Sequence, residues 1–198
     1  MPYDPQKHHR RSIRLKGYDY AQAGLYFITI CCQNRACLFG AVSDGKMHLN
    51  DAGQMVETWY HELENKYPNI QCHEMVVMPN HFHCILEITD VPTIQDAHVG
   101  APLVGAQNVD EQNAAGQNTG QPQGHARTVG DIIGEFKSIT TVDYIHGVKN
   151  SGWVPFNCKL WQRNYYEHII RNEKSFCTIA EYIVNNPARW TDDKFYTQ

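Results

Sequence analysis

The chain has 198 residues, of which 42% are hydrophobic and 11% aromatic, enough for one domain that buries a real core without disulfide staples. Its formal charge of −4 excludes a uniformly basic protein, yet residues 90–126 carry Asp90, Asp96, Asp110 and Glu111 without a Lys or Arg and account for all of it. No apolar run approaches about 18 residues and the basic N-terminus has no apolar core, so neither membrane insertion nor secretion is indicated and the cytoplasm is the expected compartment.

In chain order, residues 1–20 form a basic segment in which Arg10, Arg11, Arg14 and Lys16 join His8 and His9, with no acid between His8 and Lys16. Residues 25–33 (LYFITICCQ) are β-branched and aromatic and read as a strand; Asp44-Gly45 between short apolar runs signals a hairpin within residues 38–50. Asp51 is positioned to cap a helix over residues 52–66, with Met55, Trp59, Leu63 and Val56 toward one face and an end before Pro68. Two strands follow over residues 70–78 and 81–89, separated by Pro79-Asn80. Thr128 opens a helix with Val129, Ile132, Ile133, Phe136 and Ile139 at helical spacing. Residues 160–170 read as extended, and Asn172 caps a last helix to about Asn186, stopped by Pro187. The order β-(hairpin)-α-β-β-α-β-α predicts an α+β ferredoxin-like sandwich, an antiparallel sheet with helices on one face, plus a C-terminal helix.

Residues 90–127 interrupt this rhythm. They are rich in Gly, Ala, Gln, Asn and Val, contain Pro92, Pro102 and Pro122, and lack aromatics, a low-complexity insertion expected to be disordered or loosely held. The chain is otherwise read as a single domain over residues 1–198. Its seven cysteines include no C-x-x-C pair and several lie in apolar runs, which reads as buried free thiols and leaves no paired Cys donors for a structural zinc.

The chemistry concentrates in two places. In Met78-Pro79-Asn80-His81-Phe82-His83-Cys84 the period of a strand puts His81 and His83 on one face and Phe82 and Cys84 on the other, half of a metal site on a rigid element. A histidine-triad nucleotide hydrolase would continue the alternation, but Ile85 follows. In the last helix Phe176, Ile179, Ala180 and Ile183 form the stripe that should meet the sheet. Tyr182 then sits at the flank of that face, and Asn186 one turn further on projects beside it. Together the four supply metal ligands and an oxygen nucleophile. A second basic cluster with Arg163 and Arg171, interleaved like the first with Tyr18, Tyr20, Trp161, Tyr165 and Tyr166, suits a phosphate backbone with exposed bases.

On these elements the chain resembles the single-tyrosine HUH transposases, and within them the REP-associated tyrosine transposase branch. The likeness runs through Arg10-Arg11-Ser12-Ile13-Arg14, Tyr26-Phe27-Ile28-Thr29-Ile30, Val77-Met78-Pro79-Asn80-His81-Phe82-His83, Trp161-Gln162-Arg163-Asn164-Tyr165-Tyr166 and Glu181-Tyr182-Ile183-Val184-Asn185-Asn186-Pro187. It implies that His81 and His83 hold a divalent metal, Mg²⁺ or Mn²⁺, with Asn186 as third ligand, and that Tyr182 is the nucleophile. The implied activity is cleavage and transfer of single-stranded or hairpin DNA through a 5′-phosphotyrosine, by a monomer or a homodimer. His168, Glu181 and the metal are the candidates for activating the phenol. The competing reading is a domesticated nucleic-acid hairpin binder without turnover.

Overall fold

Four strands paired in the order β4-β5-β1-β6 give this molecule its frame. The computed structural model describes residues 17–90 and 127–196. The elements are β1 (Gly24–Cys31), β2 (Gly40–Ser43), β3 (Lys46–Leu49), α1 (Asp51–Lys66), β4 (Ile70–Met78), β5 (His81–Ile88), α2 (Val129–Ser151), β6 (Tyr166–Ile170) and α3 (Glu173–Val184). All three pairings of the main sheet are antiparallel, and its strand order is that of a ferredoxin-like sandwich. β2 and β3 form a separate hairpin between β1 and α1, turning at Asp44 and Gly45, whose φ values of 51° and 71° fit a primed turn. The expected α+β fold is the observed one.

The alternation of the strands decides which helix each face receives. Tyr26, Ile28 and Ile30 of β1 and Phe82, Cys84 and Leu86 of β5 are fully buried in the main core, against Val56, Tyr60 and Leu63 of α1 and Ile132, Ile133 and Phe136 of α2. The opposite face carries Leu25, Phe27, Val76 and Ile85 and receives α3 through Phe176, Ile179, Ala180 and Ile183. α1 and α2 therefore share one face, and the C-terminal helix covers the other.

Several local expectations shift. Asn50, not Asp51, caps α1, its side chain accepting from Gly53 N, and the buried stripe runs through Val56 and Tyr60 while Met55 and Trp59 are only partly covered. Residues 160–170 are not one strand: Trp161 makes a single bridge to Cys32, and β6 begins only at Tyr166. Pro187 does not end helical structure, because a 3-10 segment follows at Pro187–Asp192. All described cysteines are free, but Cys37, Cys158 and Cys177 are exposed rather than buried. Of residues 1–20 only 17–20 are described, so Arg10, Arg11, Arg14 and Lys16 lie outside the described residues, as does nearly all of residues 90–127. No described helix is long and apolar enough to cross a membrane.

The small second cluster is what fixes α3 to the sheet. Ile183 is fully buried between Ile85 and Ile170. Ile183→Ala is expected to lower the unfolding free energy by about 2–5 kcal/mol, read from urea denaturation. A loss under about 1 kcal/mol would mean that α3 is held by other contacts.

Candidate active site

His81 and His83 lie on the central strand β5, opposite Cys31 and Thr29 of β1 and Met78 and Val76 of β4. Both share the α3 face, as the period of two requires, and are 0% and 1% exposed with ring centroids 4.6 Å apart. Each ring is held through Nδ1: that of His81 bonds to Asn80 Oδ1 at 2.9 Å and that of His83 to Thr29 Oγ1 at 2.8 Å. The Nε2 atoms are thereby left for other partners. His83 Nε2 lies 3.3 Å from the Tyr182 hydroxyl, whereas His81 Nε2 is buried without a hydrogen-bond partner.

The helix end brings the other half. Asn172 caps α3 by accepting from Ser175 N, and the apolar stripe presses its inner face on the sheet. Tyr182 follows at the flank and packs edge-on against both Phe27 and His83. Asn186 keeps helical φ and ψ (−58° and −43°) beyond the last turn of α3, so the spacing of four still sets it beside Tyr182. It is 2% exposed; its Nδ2 donates to Asp193 Oδ2 at 3.2 Å, and its Oδ1 is buried and unpartnered. Thus two segments remote in sequence come together at one place.

The sequence reading missed the chain beyond Pro187. It curls back over the histidines: Phe195 lies 4.7 Å and Trp190 5.9 Å from the His81 ring, centroid to centroid. Asp193 comes within 4.8 Å of the two histidines, ligand atom to ligand atom, and is the acid that completes a potential metal-binding group with them. A cleft of about 520 Å³ opens beside it, lined by His83, Tyr182 and Asn186, by Tyr166 and by the cations Arg189 and Lys194. The hairpin turn lies beside this tail, close enough that a Cβ at Gly45 would touch Ala188. The signal that was overlooked is Trp190 and Phe195 flanking Asp192-Asp193-Lys194, apolar anchors that have no reason to stand in a solvated end.

The donor set suits a divalent cation. Two imidazole nitrogens, a carboxylate and an amide oxygen lie together, and two of those atoms, His81 Nε2 and Asn186 Oδ1, have lost water without gaining a partner. Burial sets the protonation states. It pulls His81 down to about 4, against a weaker opposing pull from Asp193, and it pushes His83 well below the usual histidine range with help from His81 and Lys194. Both rings are neutral near pH 7, the ligand form. Burial, then the Asp193 carboxylate, raises the Tyr182 phenol, so it is protonated there too.

Other predicted positions fall elsewhere. Arg163 and Arg171 are exposed, and Arg171 lines a separate hollow of about 330 Å³ with His168 and Ser175. Neither His168 nor Glu181 lines the cleft beside Tyr182. Of the aromatics expected to meet bases, Trp161 and Tyr20 are core residues and Tyr165 packs against the core; Trp161 donates from Nε1 to Thr140 Oγ1 at 2.9 Å. Tyr166 is the one well exposed, at 48%, and it borders the cleft.

Keeping His81 neutral makes stability depend on pH. Unfolded His81 binds a proton below about 6.5 and the folded ring only below about 4, so the unfolded state holds more protons between these values and stability falls as pH drops. In metal-free protein the effect of this group alone is expected to reach roughly 3 kcal/mol by pH 4, measured by denaturant titration across that window and lost in His81→Gln.

No family model matches the chain. An uncharacterized protein of Haemophilus influenzae is 41% identical over 198 residues, spanning 98% of this chain and 97% of the relative. Among solved structures, a REP-associated tyrosine transposase bound to a REP hairpin superposes with a TM-score of 0.51 at 19% identity, covering 90% of this chain and 74% of that one. The chain therefore belongs to the family of the Haemophilus influenzae protein and has the fold of a REP-associated tyrosine transposase.

Proposed function

We propose that this chain is a single-tyrosine DNA strand transferase of the REP-associated transposase type, a cytoplasmic enzyme that cuts and rejoins single-stranded or hairpin DNA. The observation that carries the reading is the 3.3 Å approach of the Tyr182 hydroxyl to His83 Nε2 at the edge of a cleft that also holds Asn186, Arg189 and Lys194. A nucleophile, metal-type donors and phosphate-seeking cations meet at one opening. Their spacing alone is not unusual; their convergence from β5, α3 and the tail is.

His81, His83 and Asp193 would hold a divalent ion, with Asn186 Oδ1 as a further oxygen donor. Bound there, the ion would supply Lewis acidity toward the non-bridging and departing oxygens of a phosphodiester, and the two imidazoles favour Mn²⁺-like ions over Mg²⁺. The chain's own groups do the rest. Arg189 and Lys194 attract the backbone phosphates, and Tyr166 offers a ring on which a base beside the scissile bond can stack. Phe27 buttresses Tyr182 edge-on and keeps its hydroxyl at the cleft. As Tyr182 Oη bonds to phosphorus, the bond from phosphorus to the 3′ oxygen breaks; the phenolic proton is lost and the departing oxygen takes one up, leaving a 3′-hydroxyl. The 5′-phosphotyrosine conserves the bond, so a second 3′-hydroxyl can reverse the step without ATP.

One observation favours the second reading, a hairpin binder without turnover. His81 is 0% exposed, with Phe195 and Trp190 packed against its ring. Covalent chemistry separates the two. Wild type with Mn²⁺ and a single-stranded hairpin DNA is expected to give a protein–DNA adduct on denaturing gels, with Tyr182 identified by mass spectrometry; Tyr182→Phe should give none. Absence of adduct across a pool of structured single strands would favour the binder. A Tyr165→Phe, Tyr166→Phe double variant should still form the adduct, and its loss would move the nucleophile to β6. The ligand set is tested by calorimetry: Asp193→Ala should weaken Mn²⁺ binding by about tenfold or more, and Asn186→Ala less, because a carboxylate brings charge as well as an oxygen.

A further inference from the structure

Asn80 is 0% exposed in the turn between β4 and β5, yet nothing in the chemistry above uses it. Its backbone carbonyl accepts from Cys32 N at 2.8 Å, which ties the turn to the end of β1. The side chain is fixed by what surrounds it. Nδ2 faces two backbone carbonyls, of Phe195 at 2.8 Å and of Arg35 at 3.3 Å. Carbonyl oxygens only accept, so the NH₂ must lie on that side and the amide oxygen on the other. That oxygen stands 2.9 Å from His81 Nδ1 and can only accept in turn. This acceptor draws the proton of the neutral ring to Nδ1 and leaves the lone pair on Nε2, in competition with the Asn186 and Asp193 acceptors on the far side of the ring. The contrast with His83 is informative: its Nδ1 partner is the Thr29 hydroxyl, which can donate or accept and so dictates no tautomer.

We propose that Asn80 is a positioning residue that locks His81 in the Nδ1–H tautomer, delivering its Nε2 lone pair toward Asp193 and Asn186. The lock rests on the reading of His81 as an Nε2 metal ligand for its purpose, but it exists in the metal-free chain. Its design is a relay: the tail at Phe195 and the turn at Arg35 orient the amide, the amide orients the proton, and the proton decides which nitrogen is basic. A free imidazole prefers the other tautomer, with the proton on Nε2, and would then present a donor where a cation needs an acceptor. Outer partners of ligating histidines act in this way in metal sites generally, and their loss costs about 10–100-fold in metal affinity.

The test uses the full chain with ring-¹⁵N histidine. Long-range ¹H–¹⁵N spectra of metal-free wild type at neutral pH should show His81 with a protonated Nδ1 and a bare Nε2. Asn80→Ala should move His81 toward the Nε2–H form and weaken Mn²⁺ binding about 10–100-fold by calorimetry. Asn80→Asp keeps an acceptor facing Nδ1 and should retain the wild-type tautomer even though it loses the donors to Phe195 and Arg35. This variant separates the lock from general damage to the turn. Wild-type His81 with its proton on Nε2, or an Asn80→Ala protein that keeps both tautomer and affinity, would overturn the proposal. If the tautomer behaves as stated but no Mn²⁺ binds to wild type, the lock stands and the metal reading fails.

Discussion

Two uncharged imidazoles held away from water on the middle strand of the sheet are the constraint around which the rest is arranged. Desolvation keeps His81 and His83 neutral, and neutrality is what makes their Nε2 atoms bases at ordinary pH. A strand at the edge of a sheet could not do this as well. β5 is flanked by β1 and β4, so its backbone is hydrogen-bonded along both sides and the two donor directions are set by the pleat rather than by a flexible loop. The even-numbered residues between and after them, Phe82 and Cys84, are packed in the main core against α1 and α2. Rotating the histidines out would require pulling those residues from the core.

The two faces of the sheet divide labour. The face toward α1 and α2 buries the great majority of the large apolar side chains, while the face toward α3 relies on a compact cluster around Ile85, Ile170 and Ile183. Most of the apolar burial therefore lies on one side and the candidate site on the other. Tyr182 and Asn186 stand at the margin of the thinner layer, where a cleft can open without exposing the main core. The price is that the site depends on a few contacts: a short apolar stripe centred on Ile183 seats the helix, Phe27 buttresses the phenol, and the turn of the β2–β3 hairpin lies beside Ala188 of the tail.

How much of this was legible depends on range. The period of two fixed the shared face of His81 and His83, and the spacing of four fixed the proximity of Tyr182 and Asn186, because both follow from local geometry that any packing must respect. Element order led to the fold for a similar reason. Local signals failed where a neighbour competed: Asn50 took the cap from Asp51, and Trp161, plausible as a surface ring beside Arg163, went to the core because α2 presents Thr140 and Phe136 to receive the indole. Asp193 and Lys194 could not be placed because their position depends on the chain reversing after Pro187, and Pro in the first turn of a 3-10 segment reads in sequence like a stop; only the apolar anchors Trp190 and Phe195 hint at the reversal. The reversal is a tertiary event, secured by Arg35 and Asn80 donating to the carbonyls of Lys194 and Phe195.

The unpartnered atoms bear on why the reversal exists at all. If the histidines, Asn186 and Asp193 served only to pack the sheet against the tail, each buried polar atom would be expected to end up satisfied, since leaving one without a partner costs about 1–3 kcal/mol. Here His81 Nε2 and Asn186 Oδ1 are both acceptors and both stranded, and the atoms near them are another acceptor ring and a carboxylate. Acceptors cannot satisfy one another. Asn186 Nδ2 is committed to Asp193 and His81 Nδ1 to Asn80, and the Tyr182 hydroxyl lies against His83 Nε2, so the donors of this group are already engaged. A cation relieves the nitrogen, the amide oxygen and the carboxylate in one step, and it also offsets the repulsion that the Asp193 carboxylate would otherwise present to an incoming phosphodiester. Buried atoms without a partner also occur away from the site, at Glu74 Oε2 and Trp153 Nε1, so it is the gathering of acceptors around one point, and not their mere presence, that supports the proposed cation.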